Sequence, residues 1–125
     1  MARILLIEDE KEIVEIMKML LEHGDHEVVT ALDGEEGLEM ALREYPDLIL
    51  LDVLLPKMDG IALNARLLKH EKTRRIPVVV ITTQSATDNN LSEAENVKLY
   101  LQKPFDVMTL LNKIKIVLDS SRKKR

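Results

Sequence analysis

Five side chains far apart in the chain are of the types that move phosphate: Glu8, Asp9, Asp52, Thr82 and Lys103. Each follows or ends a short apolar run. Glu8-Asp9-Glu10 follows Ile4-Leu5-Leu6-Ile7, and Asp52 follows Leu48-Ile49-Leu50-Leu51. Thr82 follows Val78-Val79-Val80-Ile81, and Lys103-Pro104 follows Val97-Lys98-Leu99-Tyr100-Leu101-Gln102. If those runs are neighbouring parallel strands, three carboxylates, a hydroxyl and an ammonium meet at one sheet edge. Clustered carboxylates repel one another unless a cation sits among them. The donors are all oxygen, which selects a hard ion, and Mg²⁺ is the usual one beside phosphate. Asp52 is then a nucleophile whose product is an aspartyl phosphate, with Thr82 and Lys103 aimed at the phosphoryl oxygens. Asp9 is expected to bind the metal directly, Glu8 mainly through water, and Leu54 through its backbone carbonyl.

Taken singly, each residue has an ordinary reading. Asp52 could cap the turn that follows, and Glu8-Asp9 could favour a helix N-terminus. Thr82 could be a strand-end hydroxyl, Lys103 a solvated charge and Tyr100 an edge-strand packing residue. Joint placement is what favours chemistry.

The elements that must bring them together are legible as strand–helix alternation. Continuous apolar runs at 3–7, 47–51 and 77–81 read as strands buried on both faces. Residues 27–31 read as a weaker strand, and 97–101 as an edge strand because Lys98 interrupts it. Between them, Ile13, Ile16, Met17, Leu20 and Leu21 mark a helix that Gly24 ends. Leu38, Ala41 and Leu42 mark a second, opened by Asp33 and stopped by Pro46. Ile61, Ala65 and Leu68 mark a third, capped by Asp59. A weak fourth lies between Thr83 and Val97, where only Ala86, Leu91 and Ala94 are apolar. The last carries Val107, Leu110, Leu111, Ile114, Val117 and Leu118. Strand–helix repetition predicts an α/β, flavodoxin-like, doubly wound five-stranded parallel sheet, order 2-1-3-4-5, with five helices. Residues 1–120 are expected to form one domain and 121–125 a basic polar tail without periodicity.

Composition narrows the function classes. The 125 residues contain no Cys, so thiolate catalysis, thiolate metal sites and disulfides are excluded. A net charge of −4, no Trp, one Phe and two Tyr argue against direct nucleic-acid binding. No apolar run is long enough for a membrane span or a signal peptide, so a cytoplasmic protein is expected. His23, His26 and His70 are read as surface residues outside the crevice.

The motifs resemble those of the receiver domains of two-component response regulators. Ile4–Glu10 is similar to the family's acidic first-strand motif, and Leu51–Gly60 to its phosphoacceptor motif. Val80–Thr83 matches the hydroxyl position, and Tyr100–Phe105 the lysine motif with a switch aromatic three residues before the lysine. The resemblance, over residues 3 to 118, implies Asp52 as the phosphorylated residue. A phosphohistidine on a sensor histidine kinase or histidine phosphotransferase would be the donor. It also implies a cis Lys103–Pro104 peptide and a protein that catalyses only its own phosphorylation and dephosphorylation. Thr82 and Tyr100 would switch the face made by the fourth helix, fifth strand and fifth helix, where a downstream protein docks. Homodimerisation on activation is left open. Three positions depart from the pattern: Leu54 where Met is frequent, Thr83 where a smaller residue is frequent, and Glu95-Asn96 where Gly-Ala is frequent. The alternative is a receiver-like interaction module that works without phosphorylation. A flavodoxin-like carrier is disfavoured because Glu8-Asp9-Glu10 would repel a flavin phosphate. A haloacid-dehalogenase-type phosphatase is disfavoured because Leu54 stands where it needs an acid.

Overall fold

The apolar runs become the strands of one sheet. A computed structural model describes residues 2–86 and 89–123. The strands are β1 (Arg3–Ile7), β2 (Glu27–Ala31), β3 (Leu48–Leu51), β4 (Val78–Thr82) and β5 (Val97–Gln102). All pair in parallel in the order β2-β1-β3-β4-β5, as the alternation predicts. The three central strands are buried from end to end, apart from a half-buried Arg3. Successive side chains alternate between two cores, since a strand has a side-chain period of two. Ile4, Leu6, Leu50, Val79 and Ile81 face one core; Leu5, Ile7, Ile49, Leu51 and Val80 face the other.

Helices α1 (Lys11–His23) and α4 (Val107–Lys123) cover the first core; α2 (Gly34–Glu44) and α3 (Gly60–Lys69) cover the second. Asp33 and Asp59 cap α2 and α3, accepting from Glu36 N–H and Ala62 N–H at 2.8 Å each. Glu36 reaches back to accept from the Leu32 N–H at 2.8 Å, one residue before the cap, which ties the incoming chain to the first turn of α2.

Four expectations need correction. Among the described residues there are four α-helices, not five: the described part of the weak segment between β4 and β5 has 3₁₀ backbone at Ala86 and a 3₁₀ turn at Leu91–Glu93, and no α-helix. Leu91 alone of its apolar residues is buried, too little to hold a full helix. In α1 the inward residues are Val14, Met17 and Leu21, and Ile16 is 53% exposed. In α3 they are Leu63, Asn64 and Leu67, while Ile61 and Ala65 face solvent. The last helix runs past Leu118 through the expected tail to Lys123. Two smaller points differ. Left-handed backbone after α1 falls on Asp25 (φ 67) rather than on Gly24, a conformation Asp tolerates. His26 is half-buried rather than on the surface, as His23 and His70 are.

Asn64, inside α3, exchanges two hydrogen bonds with Asn96, just before β5, at 3.1 and 2.7 Å. Both residues are buried, and each amide supplies the other's oxygen with one N–H donor, so Asn96 occupies its departing position with a defined partner.

The α1 correction is checkable by urea unfolding. Met17→Ala should cost about 2–4 kcal/mol through a core cavity, whereas Ile16→Ala should stay within about 0.5 kcal/mol.

Candidate functional site

The carboxyl edge of the sheet gathers the chemistry. The Glu8 N–H is held by the Ala31 carbonyl at 3.0 Å, and the Asp52 N–H by the Ile7 carbonyl at 3.1 Å. The Lys103 N–H donates to the Thr82 carbonyl at 2.7 Å, immediately before a cis Lys103–Pro104 peptide. The ladder therefore continues one step beyond the strands and sets three side chains over one point. Lys103 Nζ donates to Glu8 Oε1 at 2.8 Å and to Asp52 Oδ2 at 3.1 Å. Asp52 Oδ1 accepts from the Leu54 N–H at 3.0 Å. Carboxylate oxygens of Glu8, Asp9 and Asp52 lie within 4.8 Å of one another.

Three carboxylates thus face one ammonium. Glu8 is fully buried and its Oε2 has no hydrogen-bond partner, although it is the kind of atom a protein rarely leaves alone. Burial, then the neighbouring Asp52 carboxylate, raise the Glu8 pKa from 4.5 to about 7, against the opposing pull of Lys103. Burial pulls the Lys103 ammonium down, but its bond to Glu8 and the charge of Asp52 outweigh that and raise its pKa. A buried, unsatisfied carboxylate oxygen beside two further carboxylates fits a divalent cation held by oxygen. The ion would be a hard one, and Glu8, Asp9 and Asp52 would hold it.

The loop after Asp52 is held as tightly as Asp52 itself. Leu55 N–H bonds back to the Val53 carbonyl and Met58 N–H to the Pro56 carbonyl, two successive three-residue turns. Gly60 lies against the chain at its start: a Cβ there would sit 2.6 Å from Val53 Cα. Gly34, at the start of α2, lies against its end, where a Cβ would come within 1.9 Å of the Met58 carbonyl oxygen. Lys57 Nζ is 3.5 Å from Asp33 Oδ2 in the same contact. The Asp33 pKa is lowered, first by its bond to the Glu36 N–H and then by Lys57.

The expected site residues are not all equally close. Glu8, Asp9, Asp52 and Lys103 come together. Glu8 also contacts Lys103 directly, at 2.8 Å. Thr82 is buried at the end of β4, one strand over, with its hydroxyl accepting from Gln84 N–H at 3.3 Å. Leu54 bonds Asp52 through its N–H, and its side chain is half exposed. Tyr100 lies on the edge strand, donating to the Gln84 carbonyl at 2.9 Å and accepting from Asn89 Nδ2 at 3.0 Å. Asn89 also bonds Gln84 Oε1 and holds Leu91 N–H at 2.9 Å. Asn89, Gly34 and Gly60 went unread as supports. The Asp33-Gly34 and Asp59-Gly60 pairs were visible as helix starts, but close backbone approach leaves no further mark in a sequence.

Residues 4–115 match the family described as "Response regulator receiver domain". The chain belongs to that family. Its members are signalling modules of two-component systems rather than classical enzymes. Over 120 residues it is 38% identical to Protein PilH of Pseudomonas aeruginosa, covering 94% of this chain and 98% of that protein. It is 34% identical to Response regulator ArlR of Staphylococcus aureus over 94% of its own length, and spans about half (53%) of that longer protein. Among solved structures, a CheY-like receiver domain from Methanospirillum hungatei aligns over 98% of both chains, with a TM-score of 0.91 and 31% identity. The receiver domain of sensor histidine kinase PA1611 from Pseudomonas aeruginosa aligns with a TM-score of 0.86 and 28% identity, over 94% of this chain and 98% of its own. That structure holds a magnesium ion coordinated in its active-site cleft.

Glu8 gives this receiver domain a pH signature in EDTA. Its raised pKa means its contribution to folding is complete only below the unfolded value of 4.5 and is lost as pH rises to about 7. Urea unfolding should show stability falling across that window by up to about 3 kcal/mol, and Glu8→Gln should flatten the fall.

Proposed function

We propose that the protein is a phosphoacceptor that carries a signal by transient phosphorylation of Asp52. The observation that carries this reading is the placement of Lys103 Nζ between Glu8 and Asp52, with Asp9 completing an oxygen cluster. The donor is a phosphohistidine on a sensor histidine kinase or histidine phosphotransferase in the cytoplasm. An Asp52 carboxylate oxygen forms the new P–O bond, the P–N bond breaks, and the departing imidazole nitrogen takes up a proton. Glu8, Asp9, Asp52 and the Leu54 carbonyl would hold Mg²⁺, which when bound neutralises charge between nucleophile and donor. Lys103 leaves Asp52 Oδ2 for a phosphoryl oxygen, and the Leu54 N–H keeps Asp52 oriented. With little covalent work to do, positioning and charge stabilisation carry most of the rate.

The same event reaches the edge of the sheet through Thr82. Its hydroxyl now serves the Gln84 N–H. Turning to the phosphoryl group releases Gln84, whose carbonyl and side chain anchor Tyr100 and Asn89. Tyr100 then moves inward, and the face made by the segment before β5, β5 itself and α4 changes for a downstream partner. The absence of a full helix in the described part of that segment suits such a switch, since it holds little buried apolar area.

Incubation with acetyl phosphate and Mg²⁺ should add about 80 Da, one phosphoryl group, to intact protein. Peptide mapping after borohydride trapping should place it on Asp52, and Asp52→Asn or EDTA should abolish it. Lack of labelling would leave the phosphorylation-independent interaction module as the reading. Lys103→Ala should slow labelling by about a hundredfold while leaving the fold intact by circular dichroism.

A further inference from the structure

The edge of the sheet opposite Asp52 carries a cleft of about 790 Å³, bounded by residues 71–77, the start of β5 and the end of α4. Its apolar part includes Ile116, which is 64% exposed on α4, and the half-buried Ile76. Among the described residues, four cations line it against two carboxylates, Glu71 and Glu95, on a chain whose formal charge is −4. Arg74 and Arg75 are exposed, and neither forms an ion pair among the described residues. Lys72 is set beside Tyr45, with Nζ 3.3 Å from its hydroxyl and 5.7 Å from its ring centroid. Lys98 is placed by a bulge: the β4–β5 register passes from Val78↔Val97 to Val79↔Leu99, so Lys98 has no partner across the ladder. Its Nζ is held by the Glu95 carbonyl at 2.8 Å.

We infer that this cleft docks an acidic, amphipathic peptide segment of another protein, whose carboxylates pair with Arg74 and Arg75 and whose apolar side chain covers Ile116. Two adjacent guanidinium forks without ion-pair partners match carboxylates in geometry as well as charge. The exposed isoleucine beside them calls for an apolar partner atom, which a phosphate backbone lacks. Glu71 and Glu95 would repel a uniform polyanion, and among the described residues no aromatic ring lines the cleft to stack a base. The cleft lies at the amino ends of β4 and β5 and Asp52 beyond the carboxyl end of β3, about 15 Å of strand away. The cleft shares the segment before β5, the start of β5 and the end of α4 with the face proposed above to change for a downstream partner, and it adds Arg74 and Arg75 to that face. The inference therefore rests on that reading and deepens it by naming the partner's chemistry.

The test is titration of ¹⁵N-labelled protein with a short helix-forming peptide of Glu, Asp and Leu, followed by NMR. Amide shifts should be confined to residues 71–77, 95–98 and 116–121. Arg74→Glu combined with Arg75→Glu should weaken binding at least about tenfold, and Ile116→Ser should weaken it too, with the rest of the spectrum unchanged. Asp52→Asn should bind as the wild type does, which separates this inference from the phosphorylation chemistry. The inference is overturned by equal binding of the Gln/Asn analogue of the peptide or by tighter binding of single-stranded DNA. It is equally overturned by concentration-dependent shifts of the same residues without peptide, which would mark self-association.

Discussion

One ammonium among three carboxylates is the constraint around which the protein is arranged. Lys103 can satisfy one oxygen of Glu8 and one of Asp52, and it leaves the other oxygen of Glu8 buried without a partner. The fold makes this cluster stand by extending the backbone ladder one residue past β1, β3 and β5. The side chains are thus delivered by sheet hydrogen bonds rather than by mobile loops. A cation would relieve the deficit and a phosphoryl group on Asp52 would redirect Lys103. The arrangement is therefore sensitive to the two species that a receiver domain is expected to meet.

The support around the cluster is uneven. On the side of Asp52 the loop 53–59 is clasped between Gly60 and Gly34, each in contact too close for a side chain. On the side of Thr82 the chain runs into a segment with a 3₁₀ turn, tied down by side-chain amides and the Tyr100 hydroxyl. Rigid geometry thus meets the nucleophile, and exchangeable polar contacts meet the element that would report on it.

Strand positions and their order were readable because fully buried strands spell themselves as apolar runs with a residue of chemical consequence at the end. The four clustered side chains were readable for the same reason. Helix faces were harder. In α1, Ile13, Val14, Ile16 and Met17 offer two plausible stripes, and only burial in the core that also holds Leu6 and Ile114 selects Val14 over Ile16. In α3 the inward stripe includes Asn64, a polar residue that apolar periodicity passes over and that is buried only because Asn96 completes it. The fourth helix was overread: alternation led to the expectation of a helix that its few apolar residues could not support. The supporting glycines and Asn89 stayed hidden because their roles depend on contacts between segments distant in sequence.

The Gly34–Met58 contact has a consequence for how this chain could vary. With no space between the first turn of α2 and the carbonyl of Met58, the length of the connection from Asp52 to α3 is fixed at both ends. A residue inserted there would have to displace a helix start or unseat the nucleophile. The connection between β4 and β5 has no such clasp among its described residues. Differences in length and composition between related chains can accumulate there, which makes it the natural place for relatives to diverge in what they recognise while their chemistry stays the same.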